Sequence, residues 1–279
     1  GVPAHPSPRL PLLGRKTEQA ILTNRLEALQ KVRSGGVILV EGEAGIGKSR
    51  FLEEVVDLST SLGLQTLFGS ASSIDKTTPF YAWREVFHDL FDLPDEASAE
   101  EQQAHILRML RYDPALPPLA PLVNGILPVD FPETRATMRM AGHVRQEALI
   151  QFLVRLIATI SFEASKVIVL DDVQWLDSAS WSLVTRLYHD TPSVLLVLAH
   201  LPMLPPLPPD FSHLIHAADV QRLSLTPLNQ EDTLKLVHAS LGVDHIPEAA
   251  AAYILSKTEG HPFYALEMAY ALRDSGWAT

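Results

Sequence analysis

Gly42-Glu43-Ala44-Gly45-Ile46-Gly47-Lys48-Ser49 obeys the spacing G-x4-G-K-[ST], and residue types in that order suit wrapping a chain around phosphate oxygens. The glycines let successive backbone N–H groups turn inward, and a helix opening at the lysine adds its positive N-terminal end. Lys48 is expected against the β- and γ-phosphates and the Ser49 hydroxyl on Mg2+, with Arg50 completing the binding segment. Magnesium chemistry needs a second acidic site at the end of a buried strand, and Val167-Ile168-Val169-Leu170-Asp171-Asp172 supplies it. Asp171 is assigned to the metal. Asp172 is the candidate for orienting or activating an attacking water, so Asp172 and Lys48 form the catalytic pair. The plain alternative, that the two carboxylates cap the next helix, weighs more on Asp172 than on Asp171.

Guanine-specific sites carry an N/T-K-x-D motif after a late strand, whereas here Val194 to Ala199 runs into His200-Leu201-Pro202. Adenine is therefore the expected base, with ATP or ADP as the ligand.

These residues need a scaffold that sets strand ends beside helix starts. Apolar, β-rich runs at Val37–Glu41, Gln65–Gly69, Val167–Leu170, Val194–Ala199 and Val220–Leu225 alternate with helical patterns, which predicts an α/β fold with a mainly parallel five-stranded sheet. Leu22, Leu26 and Leu29 share one helical face, and Leu149, Leu153, Leu156 and Ile160 share another. The stretch 72–143 breaks the rhythm with eight prolines and the aromatics Phe80, Tyr81, Trp83, Phe87 and Phe91, so it reads as a helical insertion whose aromatics pack onto the core. After Leu225 only helical patterns remain, the first with Leu234, Val237 and Leu241 on one face. The division is thus a phosphate-binding domain at 1–223 and a small all-helical unit at 224–279. Pro202 to Pro209, with five prolines in eight residues, reads as a stiff exposed loop.

The bulk properties narrow the partners. The 279 residues carry 22 Lys plus Arg against 33 Asp plus Glu, a net charge of −11, which opposes broad contact with nucleic-acid backbones and favours protein partners. With no cysteine, disulfides, thiolate metal sites and cysteine nucleophiles are excluded. The wholly apolar run Val194–Ala199 falls far short of a membrane span. Gly1–Pro11 holds four prolines and no apolar stretch of the kind a signal peptide needs, so a cytoplasmic location without membrane contact is expected. An initial Gly, and an end just after a helical pattern at Trp277, read as a fragment whose partners include other domains of the same polypeptide.

Taken in order, Leu12-Leu13-Gly14-Arg15-Lys16-Thr17-Glu18, the phosphate loop, Asp171-Asp172-Val173-Gln174-Trp175-Leu176-Asp177 with Ser180, Leu225-Thr226-Pro227-Leu228 and Gly260-His261-Pro262-Phe263 resemble the STAND class of AAA-related signalling ATPases. The resemblance runs from about Leu12 to about Leu272. It implies a P-loop NTPase domain of the AAA type plus a helical lid that closes over ATP or ADP. It places Gly14 and Arg15 near the adenine and has Pro262 reach the nucleotide from the lid. Similar modules occur in LuxR-type regulators and in soluble adenylyl cyclase-like proteins, and Thr78-Pro79-Phe80-Tyr81-Ala82-Trp83-Arg84 is most similar to the cyclase-linked insertion. The expected role is a slow, Mg2+-dependent ATPase acting as a switch, with a non-catalytic nucleotide-bound scaffold as the alternative. One departure bears on this choice. Many relatives carry an arginine just after the fourth strand, where this chain has His200 and Leu201, and no arginine lies between Leu201 and Gln221. His200 would donate to phosphate only when protonated or in the right tautomer, so a plain substitute with reduced effect is expected.

Overall fold

The computed structural model describes residues 12–94 and 97–275. Gly1–Pro11 and the residues around Trp277, on which the readings of a missing leader and of a fragment rested, lie outside the described residues. The sheet comprises β1 (Gly36–Gly42), β2 (Gln65–Ser70), β3 (Lys166–Asp171), β4 (Val194–His200) and β5 (Gln221–Leu225). Its order is β2-β3-β4-β1-β5 and every pairing is parallel. A parallel sheet is covered on both faces, so its strands are almost continuously apolar; β4 is buried along its whole length. Val220, expected to open the last strand, lies just before β5 with its side chain in the core.

Alternate strand residues feed two cores. On one face Ile38, Val40, Val167, Val169, Leu195 and Val197 meet Leu22, Leu26 and Leu29 of α1 (Lys16–Val32) and Phe51 and Val55 of α2 (Lys48–Ser61). On the other, Leu39, Ile168, Leu170, Leu196 and Leu198 meet α5 (Gly142–Glu163), α6 (Ser178–Asp190), α7 (Pro209–His216) and the inserted segment. Leu149, Leu153 and Leu156 of α5 are buried, and Ile160 packs at their edge.

The insertion contains α3 (Trp83–Leu90), α4 (Ala99–Leu110) and a 3-10 turn at Pro117–Gly125. Phe80, Trp83, Phe87 and Phe91 are all buried in the same core, which is the packing role expected of them. The proline-rich loop ends sooner than expected, because Pro209 opens α7: proline is compatible with the first turn of a helix, where its missing N–H costs nothing. Met203 and Leu207 of that loop lean on the core instead of standing free.

After β5 come α8 (Gln230–Leu241), α9 (Glu248–Thr258) and α10 (Pro262–Asp274), joined by their own small cluster of Val237, Ile254, Ala265 and Ala269. In α8 the buried residues are Thr233, Leu236 and Val237 rather than Leu234. Val237 and Leu241 face that cluster as expected, while Leu236 lines a cavity beside the phosphate loop.

Candidate functional site

The parallel sheet presents the carboxyl ends of β1, β3 and β4 along one edge, and the predicted chemistry gathers there. β1 ends at Gly42, and the turn through Glu43, Ala44, Gly45 and Ile46 is closed by the Ile46 N–H donating to the Glu43 carbonyl, 3.3 Å. Ile46 is buried beneath the turn and anchors it, whereas Glu43, Ala44 and Gly45 stay exposed. Gly47 caps α2 in a left-handed conformation, with no side chain bonded to the first amides of the helix. Those amides therefore remain available to an anion at the positive end of the helix dipole.

Lys48 is buried and folds over the loop, its ammonium donating to the carbonyls of Gly42 (2.9 Å) and Glu43 (3.0 Å). Burial lowers its pKa from the ordinary lysine value, and the nearby Asp171 and Asp172 oppose that shift. Ser49 and Arg50 follow in the first turn of α2, with Arg50 held by Glu53 and Glu54. Asp171 ends β3; burial raises its pKa, with Asp172 adding to the rise, while a hydrogen bond from the Asp172 N–H (2.8 Å) and the Lys48 charge work against it. Asp172 takes a left-handed backbone, φ 54°, which turns the chain into the 3-10 turn Val173–Trp175. Ala44, Gly45, Gly47, Lys48, Ser49, Arg50, Asp171 and Asp172 line one open cavity of about 440 Å3.

Gln174, Trp175 and Leu201 complete that cavity. The Gln174 amide donates to Asp172 Oδ1 (2.8 Å) and accepts from the Leu201 N–H (3.2 Å), so one side chain ties the second carboxylate to the end of β4. Gln174 belongs to the Asp171–Asp177 motif but was given no role of its own from the sequence; its place in that motif, two residues after Asp172, was the available signal. His200 does not line the cavity. It is buried with Nδ1 on the Leu201 carbonyl (2.8 Å) and its ring against Phe211, and burial lowers its pKa below the ordinary value.

A second cavity, of about 250 Å3 and mostly apolar, opens on the other side of the loop. Leu12, Leu13 and Arg15 form one wall, Gly45, Ile46 and Gly47 the base, and Leu236, Pro262, Phe263 and Leu266 the opposite wall. Arg15 is buried and donates to the Ile46 carbonyl (3.3 Å), with Glu18 at 3.9 Å. Gly14 stands just behind, abutting Leu228 and Asp232. The start of α10 touches the loop directly: the Phe263 N–H donates to the Gly45 carbonyl at 3.3 Å. A Cβ on Gly45 would fall 2.7 Å from that of Phe263, so the close approach requires glycine.

The donor set of the first cavity suits a hard divalent cation. A serine hydroxyl and a carboxylate at the foot of a phosphate cradle are the oxygen ligands that Mg2+ uses while keeping several waters. Among the described residues no cluster of three or more His, Cys, Asp or Glu forms a dense metal site. No described helix is long and apolar enough to cross a membrane.

A family model described as the AAA ATPase domain matches residues 11–198. Adenylate cyclase type 10 of Oryctolagus cuniculus is 22% identical over 260 residues, which is 92% of this chain; the chain spans 16% of that relative's length. Among solved structures, Drosophila ORC bound to DNA matches with a TM-score of 0.56 at 14% identity, covering 96% of this chain and 58% of that one. The Aeropyrum pernix ORC1 protein in complex with DNA matches with 0.51 at 15% identity, covering 95% and 66%. At such identities these two likenesses concern the fold alone.

Proposed function

Because the chain belongs to the AAA ATPase domain family, whose members bind nucleotide, generally with Mg2+, we propose that it is an ATP-controlled switch module that hydrolyses ATP slowly. The observation that carries this reading is the cavity shared between the loop and α10, closed by the Phe263–Gly45 hydrogen bond. A ligand whose base fills the apolar cavity and whose phosphates fill the loop touches both the sheet domain and the helical unit, so its identity biases how the two sit together. In this reading residues 1–223 form the nucleotide-binding domain and 224–279 the lid, Gly14 and Arg15 flank the adenine, and Pro262 meets the nucleotide from the lid.

Within the cradle, the amides of Gly42 to Ser49 and the Lys48 ammonium hold the phosphates. Ser49 and Asp171 would hold Mg2+, which would supply neutralisation of the phosphate charge. Asp172 orients water. Gln174 donates to its Oδ1, and Oδ2 is assigned to accept the proton of the water. Trp175 and Leu201 narrow the mouth of the cavity.

Slow turnover follows from the cations present. Among the described residues, the cationic side chains lining the phosphate cavity are Lys48 and Arg50. His200, where many relatives place arginine, is buried with Nδ1 on the Leu201 carbonyl, and burial lowers its pKa from the ordinary value. An arginine that stabilises the transferring phosphoryl group is worth about 10³–10⁵ in rate, so its loss suits a timer. The same observation favours a second reading, a scaffold that keeps its nucleotide without hydrolysing it.

Two variants separate the readings. Lys48→Ala is expected to abolish ATP binding in calorimetry, and wild-type affinity in that variant would falsify the site. Asp172→Ala is expected to keep binding while phosphate release falls about 10²–10⁴-fold. Release by the unaltered chain no faster than the Lys48→Ala background would leave the scaffold. The likeness to adenylate cyclase type 10 supports a larger signalling protein of the nucleotide cyclase or transcription-regulator type as parent, with its other domains and protein partners as targets.

A further inference from the structure

Gln174 sits in the 3-10 turn that follows the two carboxylates, a turn closed by the Trp175 N–H on the Asp172 carbonyl (2.9 Å) and the Leu176 N–H on the Val173 carbonyl (3.1 Å). Its backbone is thereby fixed, and both ends of its side chain are engaged. Nε2 donates to Asp172 Oδ1 and Oε1 accepts from the Leu201 N–H. An ionised carboxylate only accepts and a peptide N–H only donates, so the two partners dictate which way the amide faces. Glutamine offers a donor and an acceptor in one planar group, whereas glutamate would set a second negative charge against Asp172, and lysine or arginine has nothing to accept the Leu201 N–H. The far anchor is held in turn. The Leu201 carbonyl accepts from His200 Nδ1 (2.8 Å), and His200 is buried at the end of β4. Hydrogen bonds thus run without a break from the end of β4 to Asp172 Oδ1. Asp172 has reason to need the hold: the Lys48 ammonium acts on it as well as on Asp171, and a free carboxylate beside an ammonium is drawn onto it. Both Asp172 and Gln174 line the phosphate cavity, so the tether acts beside the phosphates.

We propose that Gln174 is the positioning residue of the hydrolytic step: its amide holds Oδ1 of Asp172 so that Oδ2 meets the water, and the Leu201 N–H holds the amide. The inference rests on the reading of Asp172 as the group that orients water. It gives Gln174 no contact with the nucleotide, so turnover depends on this residue and affinity does not.

Phosphate release and ATP calorimetry on the full 279-residue chain test this. Gln174→Leu removes both bonds, and Gln174→Glu keeps the acceptor for Leu201 but loses the donor. Each is expected to lower kcat about 10–100-fold, while KM and the calorimetric Kd for ATP stay within about twofold of the unaltered chain. The retained affinity also shows that the variants fold. In the Asp172→Ala background the same two substitutions are expected to slow release no further, because a residue that acts through a carboxylate has no effect once that carboxylate is gone. A loss that persists in that background, or a Kd weakened beyond that range, would mean direct contact with phosphate or a packing role and overturns the proposal. Undiminished kcat in either single variant overturns it too. If Asp172→Ala alone keeps full turnover, or the unaltered chain releases phosphate no faster than Lys48→Ala, the reading of the site falls and this inference falls with it.

Discussion

His200 shows how a residue's type and its place can point different ways. Its position at the very end of β4 invites a role toward phosphate, yet its Nδ1 is spent on the Leu201 carbonyl and its ring on Phe211. Burial lowers its pKa, with Lys48 adding to the fall and Glu41 opposing it, so the fold favours the neutral ring. The unfolded chain takes up the proton first, near the ordinary value of about 6.5; stability from this residue is complete above that pH and is lost as pH falls below it. Melting curves between pH 7.5 and 5.5 are therefore expected to show a steeper acid-side loss of Tm in the unaltered chain than in His200→Gln. Residues within one contiguous motif, such as Lys48 and Ser49, or Asp171 and Asp172, were legible because their spacing alone puts them at a strand end or a helix start. Gln174 was not, since its significance lies in Leu201, which only the β3–β4 pairing brings beside it.

At the scale of elements, the strands were readable because a sheet buried on both faces leaves uninterrupted apolar runs, whereas the docking of one element on another has no such local signature. Asp177 is an example. It caps α6 by accepting from the Ala179 and Ser180 N–H groups, and it also accepts from the Phe80 N–H (3.0 Å), so it pins the insertion to the turn that follows the two carboxylates. Asp177→Ala is expected to cost about 1–2 kcal/mol, read as a fall in Tm of about 2–8 °C. Gly260 does comparable work between β5 and α10. Its carbonyl accepts from the Leu228 N–H (2.8 Å), its φ is +82°, and a Cβ would lie 2.0 Å from the Leu228 carbonyl oxygen. Gly260→Ala adds about 1–3 kcal/mol of backbone strain before that clash is counted. Hydrogen exchange is expected to quicken along α9 and α10 while the amides of β1 and β4 keep their protection.

For the molecule as a whole, the net charge of −11 sets apart a shared fold from a shared partner. The likeness to DNA-bound ORC structures is one of architecture, and an acidic chain gains little from phosphate backbones. A gel-shift titration with duplex DNA at about 0.1 M salt is expected to show no retarded species. The strand order has a further consequence, for synthesis. β1 carries the phosphate loop at its end, yet its two neighbours are β4 and β5: Gly36 waits for Leu195 and Ile38 for Gln221. As the chain leaves the ribosome, β2 likewise finds no partner until β3 emerges after the whole insertion. The apolar interior strand β1 is therefore made early and paired late, and both its edges stay unpaired until β4 and β5 have been made. Ribosome-bound chains halted before Val194 should be unable to retain nucleotide, and that capacity should arise only once β5 has cleared the exit tunnel.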